Sequence, residues 1–183
     1  MIKKIMTKQR REVEYIIDNS MTFSKSPWAL ISIWGSQELI TPFNRETLSK
    51  AGCNEILSVK FSDLTLDEYN KLSLQKKSTS FLFKEEQAKS IINFIDKVNA
   101  MEIPELFIHC AAGISRSPAV GLFVCKYLNL DETEFRKANP HILPNIYVLN
   151  VLNSVSGIND QYMKFWETEL NKEKRENLIF TFF

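Results

Sequence analysis

The sequence predicts an α/β fold in which a small, central, mostly parallel sheet is flanked by helices. Two apolar runs, Trp28–Trp34 and 106–108, are typical of buried strands because both faces of a central parallel strand are covered. The segment 84–100 places apolar residues at helical spacing with charges on the other side, which predicts an amphipathic helix. Strands that alternate with helices in this way favour the α/β class.

The other predicted elements follow from the same patterns, taken in chain order. Apolar residues on one face predict a short helix over 7–19, and alternation predicts a strand over 54–61. The segment 62–80 is polar and aperiodic, so we expect a long loop there. Downstream of the 106–108 strand, an apolar helix begins near Pro118, a residue that suits a first helical turn. Two or three further helices are predicted, with candidate segments at 131–138, 145–152 and 159–175.

The chain of 183 residues is expected to form a single domain over 1–183, with its core at about 26–156. The N-terminal helix, the C-terminal helix and the aromatic tail at 178–183 are expected to be extensions of that core. No internal repeat, low-complexity tract or linker divides the sequence. A chain of this length can bury a sizeable core without disulfides or metals.

Composition excludes several classes of protein. The 23 basic and 22 acidic residues leave a net charge of +1, which argues against a broad electrostatic grip on nucleic acid or membrane. Three cysteines and two histidines suit neither a disulfide scaffold nor a zinc module. The longest apolar runs are far too short to cross a bilayer, and no signal peptide is evident. We therefore expect a cytoplasmic, or at least intracellular, protein without a structural zinc site; no cofactor is expected.

The most informative segment is the loop that joins the 106–108 strand to the apolar helix. It reads His109-Cys-Ala-Ala-Gly-Ile-Ser-Arg-Ser117, with five residues between Cys110 and Arg116. A strand, a tight loop and a helix N-terminus together form an anion site, because backbone N–H groups and the helix dipole favour negative charge there. Gly113 allows the backbone to curl closely around a ligand. The predicted phosphate-binding residues are the loop residues Ala111, Ala112, Gly113, Ile114, Ser115 and Arg116.

The two ends of the loop supply a nucleophile and a charged clamp. A helix terminus and an adjacent guanidinium favour a thiolate at Cys110, which can attack phosphorus. Arg116 can grip two phosphoryl oxygens with a planar fork. The Ser117 hydroxyl can hydrogen-bond the sulfur when it leaves the phosphocysteine. The alternative for Cys110 is a buried structural thiol, which would leave Arg116 and Gly113 unexplained.

The motif His-Cys-x-x-Gly-x-x-Arg-Ser resembles the phosphate loop of cysteine-dependent protein tyrosine phosphatases, in particular the compact dual-specificity branch and its bacterial and viral relatives. The resemblance covers roughly 28–152. It implies hydrolysis of phosphotyrosine, with or without activity on phosphoserine and phosphothreonine, through a phosphocysteine intermediate and without a metal. The implied partner is a phosphorylated protein, not nucleic acid or membrane, and the oligomeric state stays open.

The resemblance also implies a general acid and two supporting residues. The Trp-Pro-Asp loop of the larger tyrosine phosphatases does not occur here. In compact members the acid follows the strand before the long helix, where this sequence has Phe-Ser-Asp63-Leu, so Asp63 is the candidate and Asp67 the alternative. His109 is expected to orient the loop. Asn145, in a Pro-Asn turn, is expected to start the next helix and brace the loop.

Two rival interpretations remain open. One is a phosphatase of the same chemistry that acts on RNA 5′ ends or on a small phosphorylated molecule. The near-neutral charge counts against RNA, which proteins hold largely through its phosphates. The other is a catalytically impaired module that binds phosphate. The uncharged side chains at 111, 112, 114 and 115 make the loop less suited to polyphosphorylated inositol lipids, whose phosphatases tend to carry lysines there.

Overall fold

A computed structural model describes residues 1–19, 21–35 and 43–158 of the chain. These residues form four strands and eight helices, which alternate along much of the chain. In order they are β1 (Lys4–Gln9), α1 (Arg10–Asp18), β2 (Trp28–Trp34), α2 (Arg45–Lys50), β3 (Cys53–Lys60), α3 (Leu66–Lys71), α4 (Leu74–Thr79), α5 (Glu85–Ala100), β4 (Glu105–Cys110), α6 (Arg116–Tyr127), α7 (Glu132–Ala138) and α8 (Ile146–Ser156). The predicted helix at 159–175 and the aromatic tail lie outside the described residues.

The sheet has the strand order β1-β4-β2-β3, and every pair of neighbouring strands is parallel. This confirms the predicted α/β architecture with its small parallel sheet. All seven residues of β2 are buried, as expected for a strand covered on both faces. Because all four strands run the same way, their carboxyl ends meet at one edge, where parallel α/β sheets place their sites.

Two apolar clusters cover the two faces of the sheet, and side chains along each strand alternate between them. On β2, Ala29 and Ile31 belong to the larger cluster, which is completed mainly by α5, α6 and α8. Trp28 and Leu30 belong to the smaller cluster, with residues of α1 and α2. On β4, Cys110 faces the larger cluster.

The predicted N-terminal helix is wrong at its beginning. The predicted range 7–19 starts inside β1, and the helix itself begins at Arg10. The strand pairs with β4 along its whole length, so the N-terminal segment is part of the sheet. As an edge strand it buries Ile5 on one face while Lys4 extends into solvent, and this weak pattern is easily read as part of the helix that follows.

The predicted loop at 62–80 is also wrong, since it contains α3 and α4. Each helix is capped by a hydroxyl: Thr65 accepts a hydrogen bond from the Glu68 N–H, and Ser73 accepts one from the Lys76 N–H. The helices were missed because they lack an apolar face; α3 has no buried residue. The Thr-x-x-Glu capping box was a readable signal for the first of them.

Candidate active site

Cys110 is the last residue of β4, and Arg116 is the first residue of α6. The five intervening residues form the tight connection that the sequence predicts. The Sγ atom of Cys110 lies 3.3 Å from the Oγ atom of Ser117, which stands in the first turn of α6. Cys110 is almost completely buried, and Ser117 is fully buried. The nucleophile candidate and its hydroxyl partner are therefore fixed by a strand end and a helix start.

The loop packs against the carboxyl end of β1. Gly113 has a φ of 75°, a conformation that favours glycine. A Cβ atom at this position would lie 2.9 Å from the backbone carbon and oxygen of Lys8, so the two backbones approach too closely for any side chain. The Arg10 N–H also donates a 3.2 Å hydrogen bond to the carbonyl of Ala111. The missed strand β1 is thus a direct support of the loop.

Three of the loop residues are exposed, Ala111, Ala112 and Ile114. None of them is charged. Ile114 also accepts a 2.8 Å backbone hydrogen bond from Leu143, a half-exposed apolar residue beside it. Any contribution of these three residues to phosphate binding must therefore come from the backbone.

Arg116 is 5% exposed, and its guanidinium is held from the segment after β3. Its Nη1 donates a 3.0 Å hydrogen bond to the carbonyl of Phe61. Phe61 is itself fully buried, with its ring 4.5 Å from that of Phe83. A fixed carbonyl orients the planar guanidinium, which matters because bidentate recognition depends on its plane. Sequence reasoning missed this partner because a backbone carbonyl leaves no mark in the residue type.

Asp63 lies two residues beyond that carbonyl and reaches the loop. Its Oδ1 accepts a 2.7 Å hydrogen bond from the Ser115 hydroxyl and a 2.8 Å hydrogen bond from the Asn145 amide. Its Oδ2 lies 4.0 Å from Nε of Arg116, and the side chain is 39% exposed. Asp67, the alternative, lies in the first turn of α3 and is exposed. The structure thus brings Asp63 to the loop.

Asn145 joins α8 to the loop. Its side-chain oxygen caps α8 by accepting a 3.1 Å hydrogen bond from the Val148 N–H. Its own backbone N–H donates to the carbonyl of Ser115 at 3.2 Å. With its amide on Asp63, this one residue contacts the helix it starts, the loop and the candidate acid.

His109 lies on the face of β4 opposite Cys110 and is fully buried. Its Nε2 is 2.7 Å from the hydroxyl of Ser32, its register neighbour on β2. Burial, and to a smaller extent the positive charges of Arg10 and Arg116, lower the pKa of His109 to about 4. The imidazole is therefore neutral at neutral pH. Ser32 was missed, although a lone hydroxyl in an otherwise apolar strand is a signal for a buried polar partner.

The other two cysteines are far less suited to nucleophilic chemistry. Burial raises the pKa of both Cys53 and Cys125 to about 12, so they are neutral thiols at pH 7. Cys53 stands at the start of β3, near the amino edge of the sheet, and Cys125 packs inside α6. Neither is at the carboxyl edge, where Cys110, Arg116 and Asp63 meet.

Within the described ranges, no cluster of three or more histidine, cysteine or acidic side chains is arranged to hold a metal ion. None of the helices in the described part of the chain has the length and apolar character needed to span a bilayer.

The architecture and the strand–loop–helix site define a protein tyrosine phosphatase-like fold. The structure of Tk-PTP in its active form matches the chain with a TM-score of 0.51 and 18% identity, covering 84% of this chain and 91% of that one. The structure of the human tyrosine phosphatase-like serine/threonine/tyrosine-interacting protein gives a TM-score of 0.47 at 15% identity, covering 82% and 85% of the two chains. PTPMT1 gives 0.46 at 16% identity, covering 92% and 95%.

No protein-family model matches the chain, and no curated protein sequence does. The chain has a tyrosine phosphatase-like fold, as the loop motif led us to expect.

Proposed function

We propose that the chain is a cysteine-dependent phosphatase that hydrolyses phosphotyrosine in proteins, with or without activity on phosphoserine and phosphothreonine. The observation that carries the proposal is the meeting of Cys110, Arg116 and Asp63 at the carboxyl edge of the sheet. A nucleophile, a clamp for phosphoryl oxygens and a carboxyl group are the three side chains that this hydrolysis needs.

In the first step, the thiolate of Cys110 attacks the phosphorus of the substrate. The bond between phosphorus and the leaving oxygen breaks, and Asp63 gives that oxygen its proton. Backbone N–H groups of residues 111–115 and the guanidinium of Arg116 hold the equatorial oxygens as charge spreads over them. The products of the step are the free alcohol or phenol, a phosphocysteine and the carboxylate of Asp63.

In the second step, water attacks the phosphocysteine. Asp63, now a base, takes a proton from the water, and the bond between sulfur and phosphorus breaks. The electron pair returns to the sulfur of Cys110, where the Ser117 hydroxyl, 3.3 Å away, can donate a hydrogen bond to the thiolate. Inorganic phosphate leaves, and the enzyme is restored. His109 stays neutral throughout and holds the end of β4 through Ser32.

The loop side chains support a protein substrate over a polyphosphorylated lipid. A headgroup with several phosphates calls for more than one cation, and residues 111–115 carry none. The half-exposed Ile114 and Leu143 at the rim suit an apolar side chain such as the ring of phosphotyrosine.

The test is hydrolysis of an aryl phosphate in the presence of EDTA, by the native chain and by Cys110→Ser. We expect activity that survives EDTA and vanishes in the variant, because a hydroxyl is a far weaker nucleophile than a thiolate. Cys125→Ser is the matched control and should keep the rate. Phosphopeptides and RNA with a 5′ triphosphate then identify the substrate class. A folded native chain that binds vanadate but turns over nothing would instead be a phosphate-binding module.

A further inference from the structure

The two oxygens of Asp63 have different surroundings. Oδ1 accepts hydrogen bonds from Ser115 and Asn145, at 2.7 and 2.8 Å. Oδ2 receives neither bond and faces the guanidinium of Arg116, with Nε 4.0 Å away. Arg116 is the residue that grips the phosphoryl group under the proposed function, so Oδ2 is the oxygen on the side of the reacting phosphate.

The two groups that donate to Oδ1 are held in their orientation by other hydrogen bonds. The amide of Asn145 has its oxygen on the Val148 N–H at the start of α8, so its NH₂ group is the end that faces Asp63. The carbonyl of Ser115 accepts from the N–H groups of Asn145 and Ala119, which fixes the backbone from which its hydroxyl projects. Both donors therefore stand on parts of the chain that are held by other bonds.

We propose that Ser115 and Asn145 are positioning residues for the general acid, which they hold so that its proton sits on Oδ2 and points at the leaving group. This inference rests on the proposed function. A neutral carboxyl has one O–H, and an oxygen that already accepts two hydrogen bonds has no room for that proton. The proton therefore goes to Oδ2. In the second step the same oxygen receives the proton of the attacking water, since the two bonds to Oδ1 are unchanged.

The arrangement also ties the acid to the phosphate loop itself. Ser115 is a loop residue, and Asn145 bonds to the loop backbone, so a shift of the loop carries Asp63 with it. Acid catalysis depends on such placement, since a displacement of about 1 Å can cost roughly 10²-fold in rate. Removing either donor should therefore impair proton donation and leave nucleophilic attack intact.

The experiment compares a series of aryl phosphates whose leaving groups differ in basicity. A poor leaving group, as in phenyl phosphate, needs the proton of the acid, whereas a good one, as in 2,4-dinitrophenyl phosphate, leaves without it. For Asn145→Ser we expect kcat/KM, which reports the first step alone, to fall roughly 10- to 100-fold on phenyl phosphate and by less than about threefold on the dinitrophenyl ester. Serine keeps an oxygen to cap α8 but is too short to reach Asp63. Ser115→Ala should show the same selective loss on poor leaving groups. Ser115→Thr keeps the hydroxyl and should restore the native rates.

Asn139→Ser is the matched control, because Asn139 is equally buried and bonds to Thr7 rather than to Asp63. Any loss in this variant should be the same for every leaving group. In the background of Asp63→Asn, the change Asn145→Ser should cause no further loss on phenyl phosphate, because the acid it positions is already gone.

Uniform losses across the series in both Asn145→Ser and Ser115→Ala, or full additivity with Asp63→Asn, would overturn the inference while leaving the proposed function in place. If Asn145→Ser does not fold, Ser115→Ala alone decides. A native chain that hydrolyses none of these esters overturns both the proposed function and this inference.

Discussion

The two halves of the candidate site are built in different ways. The candidate nucleophile and the candidate clamp stand on one continuous unit, β4, the loop and α6, in which every residue from Arg116 to Cys125 is buried. The candidate acid stands at the start of the segment 62–81, whose two helices are mostly exposed; Leu74 is 87% exposed. Local sequence therefore fixes the first half, whereas tertiary contacts with Ser115 and Asn145 fix the second.

The segment 62–81 is closed at its base. The Ser62 N–H donates to the carbonyl of Phe81 at 2.6 Å, and the Phe81 N–H donates to the Ser62 hydroxyl at 3.1 Å. These paired bonds bring the two ends together directly beside Asp63. The residues between Ser62 and Phe81 can therefore change in sequence or length without moving Asp63. The buried β4–α6 unit has no such freedom.

The largest expected effect is in the buried unit. Arg116→Lys should lower kcat on an aryl phosphate by roughly 10³-fold, because a point charge cannot replace the planar fork that grips two phosphoryl oxygens. Steady-state kinetics measures the change. The same substitution at the exposed Arg11 should leave kcat as it was. A lysine variant with near-native kcat would mean that charge alone suffices at this position.

The second expected effect, also in the buried unit, is on the free energy of unfolding. Because the pKa of His109 is about 4 in the folded chain and about 6.5 for an ordinary histidine, the unfolded chain takes up a proton first as the pH falls. The stability that the neutral imidazole provides is complete above pH 6.5 and is lost progressively towards pH 4. At pH 5 the loss is about 2 kcal/mol relative to pH 7.5.

Denaturant unfolding of the native chain and of His109→Asn at both pH values measures this contribution. The difference in the free energy of unfolding between the native chain and His109→Asn should change by about 2 kcal/mol between pH 7.5 and pH 5. Effects of the other titratable groups are common to both proteins and cancel in this difference. His141→Asn, at an exposed position, should keep the native pH dependence. Parallel curves for the native chain and His109→Asn would show that His109 is not protected from protonation.

The smallest effect is expected from α3 and α4, the two helices of the segment 62–81. Replacing residues 66–79 by a short Gly-Ser linker should change the free energy of unfolding by less than about 1 kcal/mol, because little apolar surface is lost and loop closure costs little. The variant should still hydrolyse small aryl phosphates, since the Ser62–Phe81 pair remains. Calorimetry and the aryl phosphate assay measure both quantities. A variant that fails to fold would show that α3 and α4 belong to the core.

The same contrast explains what the sequence could predict. Cys110, Gly113 and Arg116 lie within seven consecutive residues, so their geometry follows from local chain conformation and is visible as a motif. The long helix α5 and the strand β2 were predicted because their apolar patterns match a buried face or two buried faces.

What the sequence could not predict depends on contacts between distant segments. The bond from Arg116 to the carbonyl of Phe61 spans 55 positions, and the bond from Asn145 to Asp63 spans 82. Neither leaves a periodic signal. The strand β1 was missed for a related reason: an edge strand is stabilised by backbone pairing with β4, which side-chain patterns record only weakly.

The position of β1 has a consequence for the order in which the site can be assembled. Lys4 pairs with Glu105, and strands about a hundred residues apart in the chain generally pair slowly, because a long loop must close first. Until β1 docks, the loop between Cys110 and Arg116 lacks the Lys8 backbone beneath Gly113 and the Arg10 N–H on Ala111. The geometry of that loop is therefore complete only once the N-terminal segment has joined the sheet.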